Sequence, residues 1–140
     1  MRIMGLDLGE KYIGVAVSDQ LGWTAQGVTT IKREGEIERD LDKIQAITKQ
    51  YGVEKIIVGL PRNMDGSAGI QAQKAVDFAA CAARRLKISV ETWDERLSTA
   101  AAERLLINAD MRRAKRRRVI DKMAASIILQ NYLDAMQKRR

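Results

Sequence analysis

The stretch RIMGLDLGEKYIGVAVS, residues Arg2 to Ser18, decides how this chain folds. Arg2 to Leu8 and Tyr12 to Ser18 are both apolar and strand-like, and Gly9-Glu10-Lys11 between them is a turn short enough to close a hairpin. Working outward, Thr24 to Ile31 fits a third antiparallel strand through its threonines and valine. From Glu36 the period changes. Ile37, Leu41, Ile44, Ile47 and Tyr51 recur at spacings of three and four, which marks one face of a helix that Gly52 ends. Lys55 to Gly59 is a continuously apolar strand of the kind buried on both faces of a sheet. Leu60 to Gly69 has loop chemistry, Ile70 to Leu86 is an alanine-rich helix, Ile88 to Trp93 is a strand, and Ser98 can cap a helix reaching Asn108. A basic loop follows, and Ile120 to Met136 forms the last helix, with Met123, Ile127 and Ile128 on its apolar side. This order predicts a single α/β domain over residues 1–140. Its mixed five-stranded sheet carries helices on both faces, and its active site lies along the carboxyl ends of the parallel strands.

Composition narrows the chemistry. There is no histidine among the 140 residues, which excludes Ser-His-Asp and Cys-His catalysis and histidine-ligated zinc. One cysteine, Cys81, allows neither an internal disulfide nor a cysteine-rich metal cage, and implies a reducing, cytoplasmic setting. It sits among alanines, where a buried, inert thiol is expected. No phosphate-loop or dinucleotide fingerprint is present, and no apolar run is long enough for a membrane span. The formal charge is +7, and the excess is local, because six of the seven residues from Arg112 to Arg118 are basic. Such a run is either a solvated surface or a contact for a polyanion such as nucleic acid.

Three groups of acids stand out. Asp7 interrupts an apolar strand with Gly5 and Gly9 two residues to either side. A buried carboxylate needs a compensating partner, and bare glycines would let a phosphate or a metal-bound water approach. Asp94 and Glu95 stand where the strand ending at Trp93 runs out. Strand alternation puts Asp94 on the face of Ile88 and Val90 and Glu95 on the opposite one, but alternation is a weak guide at a strand end, so both remain candidates. Asp121 falls in the opening turn of the last helix, on the face of Ala124, Ala125 and Ile128. Bland readings exist for each: backbone amides on Asp7, an arginine on Glu95, the helix N-terminus on Asp121. Together, with no histidine or thiol to compete, the acids suit hard cations such as Mg²⁺ or Mn²⁺. A pair of such ions about 4 Å apart is the arrangement used for phosphodiester hydrolysis.

Four blocks carry a family resemblance. Met4 to Gly9 with Ile13 to Val17, Ile57 to Pro61 running into Asn63 to Ser67, Asp94 to Thr99, and Asp121 to Ala125 together resemble the YqgF/RuvX family of ribonuclease H-like proteins over nearly the whole chain. The resemblance implies a ribonuclease H-like nuclease that processes the 5′ end of pre-16S rRNA, with Holliday junction resolution of branched DNA as the alternative activity. It implies that Asp7, Glu95 and Asp121 are the catalytic and metal-binding acids, and it is the resemblance that selects Glu95 over Asp94. Expected substrate contacts are Arg62, Asn63 and Ser67 in the loop after Pro61, Arg96, and Arg112, Arg113, Lys115, Arg116 and Arg117. Arg62 departs from the apolar residue expected there. Ribosomal precursor particles are an expected partner, and the protein is expected to act as a monomer or homodimer. Trp23 and Trp93 are assigned to core packing ahead of base stacking.

Overall fold

The hairpin forms as its residues require. The computed structural model describes residues 1–60, 69–94 and 113–138. In it β1 (Arg2–Leu8) and β2 (Tyr12–Ser18) pair antiparallel, with Asp7 opposite Gly14. β3 (Ala25–Lys32) pairs antiparallel with β2 and begins and ends one residue later than its sequence pattern indicates. α1 (Ile37–Tyr51) stops at Gly52, whose left-handed φ of 67° lets its N–H donate to the Thr48 carbonyl. β4 (Val53–Leu60), α2 (Ile70–Leu86), β5 (Ser89–Asp94) and α3 (Arg113–Lys138) complete the described elements. The predicted helix from Ser98 to Asn108 lies outside the described residues.

The sheet order is β3-β2-β1-β4-β5, with β1, β4 and β5 mutually parallel, so their carboxyl ends share one edge. Side-chain alternation sorts the two faces. Met4, Leu6, Ile13, Val15, Ile56 and Val58 pack beneath α1 and α2, where Leu41, Ile44 and Phe78 close the larger core. Ile3, Ala16 and Ile57 point the other way and meet Ala125, Ile128, Leu129 and Tyr132 of α3. The mixed five-stranded sheet with helices on both faces is therefore observed.

α3 departs from the sequence reading at its beginning. The basic run is not a loop ahead of a helix at Ile120; the helix already starts at Arg113 and contains the arginines. Arginine, lysine and alanine are strong helix formers, and no Gly or Pro interrupts the segment from Arg113 to Lys138, so nothing in it stops the helix. Asp121 consequently stands two turns into α3 and not in its opening turn, which removes the helix N-terminus as its partner. The buried stripe also differs. It runs through Ala124, Ala125, Ile128, Leu129, Tyr132 and Leu133, whereas Met123 is 37% exposed.

Close contact between α3 and the sheet depends on small residues. Gly27, Ala16 and Gly5 stand side by side on β3, β2 and β1, forming a shallow trough under the helix. A Cβ on Gly5 would lie 2.8 Å from Leu129 Cβ and 3.1 Å from the Ala125 carbonyl oxygen. Any side chain at Gly5 would lift the helix.

Candidate active site

Asp7 is 6% exposed and belongs to the α3 face, because it follows Gly5 by two residues while Leu6 between them enters the opposite core. The pairing of Leu6 with Val58 continues one step to bring Gly59 beside Asp7, and on the other side Asp7 faces Gly14. Glycines thus flank the carboxylate on both neighbouring strands. This changes the role of the glycines the sequence singled out. Gly5 is occupied by the helix, and the positions beside Asp7 on the neighbouring strands fall to Gly14 and Gly59, which are far from it in sequence. Only strand pairing identifies them.

The course of α3 brings a second acid close to the same level. Lys122 lies over Gly27, the Gln130 side chain accepts from the Ala25 N–H at 2.8 Å, and Gln137 donates to the Gly22 carbonyl at 3.2 Å. Helix numbers rise as β3 numbers fall, so α3 runs antiparallel to β3 and to β1. Gly5 meets α3 between Ala125 and Leu129, and Asp121 precedes these by one and two turns, or about 6–12 Å. Asp7 lies beyond Gly5 in the same direction by two strand residues, or about 7 Å. The backbones of Asp7 and Asp121 therefore lie within about one helical turn of each other along the axis. Arg113, Lys115, Arg116 and Arg117 occupy the two turns before Asp121, which extend about 12 Å further along the axis, past the carboxyl edge of β1.

The register also bears on the pair at the end of β5. Gly59 pairs with Trp93 and Leu60 with Asp94, so Trp93 shares the face of Asp7 and Asp94 the face of the α1–α2 core. Trp93 stacks edge-on against Tyr132 of α3 with ring centroids 5.4 Å apart, and its Nε1–H is buried with no acceptor among the described residues. On the same face Lys55 pairs with Glu91 at 2.6 Å and lies 5.3 Å over the Tyr132 ring. Burial disfavours that ammonium, but the hydrogen bond to Glu91 and the contact with Tyr132 outweigh it and raise its pKa. Glu95, Arg96, Arg62, Asn63, Ser67 and Arg112 lie outside the described residues. Core packing holds for Trp93 but not for Trp23, which is 54% exposed at the β2–β3 turn. Cys81 is half-buried and receives a weak hydrogen bond from Arg84.

A buried carboxylate at the carboxyl end of the first strand, crossed by a helix whose acid stands close to its level, invites comparison with known nucleases. The model of the RuvX family, described as Holliday junction resolvase, matches residues 1–135. The chain belongs to the RuvX family. Among its relatives, a Pelotomaculum thermopropionicum protein is 57% identical over 140 residues, covering all of this chain and 91% of its own length. One from Desulforamulus reducens is 54% identical over 138 residues, covering 99% of this chain and all of its own. Both are named "Putative pre-16S rRNA nuclease". In fold, this RuvX-family chain resembles Thermus thermophilus RuvC, with a TM-score of 0.59 at 14% identity over 99% of this chain and 97% of that one. RuvC bound to a Holliday junction substrate gives a TM-score of 0.57 at 16% identity, covering 98% of this chain and 96% of that one.

Proposed function

We propose that this RuvX-family chain is a divalent-metal-dependent nuclease that hydrolyses phosphodiester bonds at the 5′ end of pre-16S rRNA, acting in the cytoplasm on ribosomal precursor particles. The observation that carries the reading is Asp7: a carboxylate 6% exposed, held in a central strand between two glycines and close to the level of Asp121. A carboxylate there can serve as a ligand to a hard cation, and oxygen donors without histidine suit Mg²⁺ or Mn²⁺. Asp7, Glu95 and Asp121 would hold the metal, which when bound supplies Lewis acidity towards the phosphate and a more acidic water. Asp94 is turned to the opposite core, and it is the family resemblance that assigns the role to Glu95.

The chain's own residues supply the rest. Gly14 and Gly59 set no side chain beside Asp7 on either neighbouring strand. The basic turns of α3, with Arg62, Asn63, Ser67, Arg96 and Arg112, would hold the nucleic-acid backbone. The Asp7→Asn variant should fold and bind substrate yet fail to cut pre-16S rRNA, and a chelator should abolish wild-type cleavage. Cleavage by pure Asp7→Asn protein at the wild-type rate would refute the assignment.

A second reading, a Holliday junction resolvase, is favoured by the family description and by the likeness to RuvC. Two symmetric cuts require a dimer. Light scattering together with cleavage of a four-way junction and of pre-16S rRNA separates the two: a monomer indifferent to junctions removes the resolvase.

A further inference from the structure

The same edge of the sheet carries a second basic surface, on the face away from α3. Two residues after Asp7 the chain enters the turn Gly9 to Lys11, and this turn is tied down by Arg33. The Arg33 N–H donates to the Lys11 carbonyl at 2.8 Å and its Nη1 to the Gly9 carbonyl at 3.1 Å. Its Nε donates to Asp40 at 3.3 Å, a carboxylate only 1% exposed in the first turn of α1 that also accepts from the Glu34 N–H. The clamp leaves one edge of a cleft of about 730 Å³ lined by Lys11, Lys32, Arg33 and Lys74, with Glu10 and Asp40 as its acids. A smaller hollow of about 220 Å³ continues it past Leu8 and Phe78.

The charge balance is the telling feature. Asp40 is matched by Arg33, which leaves Lys11, Lys32 and Lys74 against Glu10, and none of these lysines has a carboxylate partner among the described residues. Three exposed ammonium groups round an open cleft do not suit an apolar small molecule, whose sites are mostly hydrophobic. They suit the evenly spaced anions of a nucleic-acid backbone. Gly9 lies about 7 Å along the chain from Asp7, so an anion here is a neighbouring phosphate and not the scissile one.

We propose that this cleft binds backbone phosphates of a single-stranded segment of the substrate, flanking the cleaved bond on the side opposite the basic turns of α3. The strand would then cross the sheet edge at Asp7, held by α3 on one face and by Lys11, Lys32 and Lys74 on the other. The proposal rests on the nuclease reading for its direction, but its test does not need cleavage.

In an Asp7→Asn background, which removes cutting, binding of a single-stranded oligonucleotide of about 12 nucleotides is measured against salt. Lys11→Glu/Lys74→Glu is compared with Lys49→Glu/Lys87→Glu, which makes the same charge change at exposed positions outside the cleft. The cleft pair should weaken binding at least about tenfold and lower the log–log salt slope by about 1.4, two single-strand phosphate contacts. With Asp7 restored, KM should rise while kcat stays within about twofold. Equal affinity and slope in the two pairs overturns the proposal. So does a mononucleotide that binds as tightly as the oligonucleotide, since the cleft would then be a small-ligand site.

Discussion

Replacing Gly5 by alanine tests whether α3 is held at the distance the site needs. The new Cβ would meet Leu129 Cβ at 2.8 Å, and carbon atoms pack at about 3.5–4.0 Å, so helix and sheet must separate by roughly 0.7 Å. Overpacking of this kind costs about 1–3 kcal/mol, and the gain from replacing a mid-strand glycine returns about 0.5–1 kcal/mol, leaving a net loss of about 1–2 kcal/mol. In a domain of this size that lowers Tm by about 3–7 °C. The same displacement moves Asp121 relative to Asp7, and shifts approaching 1 Å cost up to about 100-fold in rate, so kcat should fall at least about tenfold. Trimming Leu129 to alanine should not rescue the variant, because the colliding atom is the Cβ that alanine keeps. Gly27→Ala is the control: its nearest neighbour at 2.8 Å is Lys122 Cγ, part of a flexible side chain, and its cost should stay below about 1 kcal/mol. Thermal melting and single-turnover cleavage on the three proteins decide the matter. A Gly5→Ala protein that melts and cuts like wild type, or is restored by Leu129→Ala, would show that contact with β1 does not set the site.

Other outcomes follow from particular contacts. Arg33→Gln strands the buried Asp40 and should cost about 1–3 kcal/mol in urea titration, moderated by the partial exposure of Arg33; the double variant with Asp40→Asn should recover much of that, and strictly additive losses would deny the pairing. Asp19 accepts from the Trp23 N–H at 2.8 Å and from Thr24, and the Trp23 amide in particular holds its pKa below the ordinary aspartate value. Its stabilisation of the β2–β3 turn is present above the unfolded pKa and is lost as pH falls through the lowered folded value. Trp23 fluorescence in a Trp93→Phe protein should therefore hold steady until below about pH 3.8, and a transition centred above that value would contradict the loop geometry. Binding of pre-16S rRNA should fall steeply with salt, and neutralising Arg113, Lys115, Arg116 and Arg117 together should flatten that slope; an unchanged slope removes α3 from the substrate contacts.

The buried acid at the centre of the candidate site was legible because its signal is local. Asp7 could be found from one strand, since a carboxylate in an apolar run is conspicuous wherever the strand ends up. The Arg33–Asp40 clamp had a signal that is easily passed over: Asp40 falls on the same helical stripe as Ile37, Leu41 and Ile44, where a charge must find a partner. The boundary of α3 was misjudged because a run of arginines reads as surface loop when charge is weighed ahead of helix propensity.

By itself the sequence determined the order of the described strands and helices, the α/β class and the family, because hydrophobic period, turn chemistry and motif order are properties of neighbouring residues. It could not say which glycines border Asp7, which face Asp94 turns to, or that lysines from the β1–β2 turn, β3 and α2 line one cleft. Those depend on strand register and on the direction of α3, and register is an agreement between segments tens of residues apart that only packing enforces.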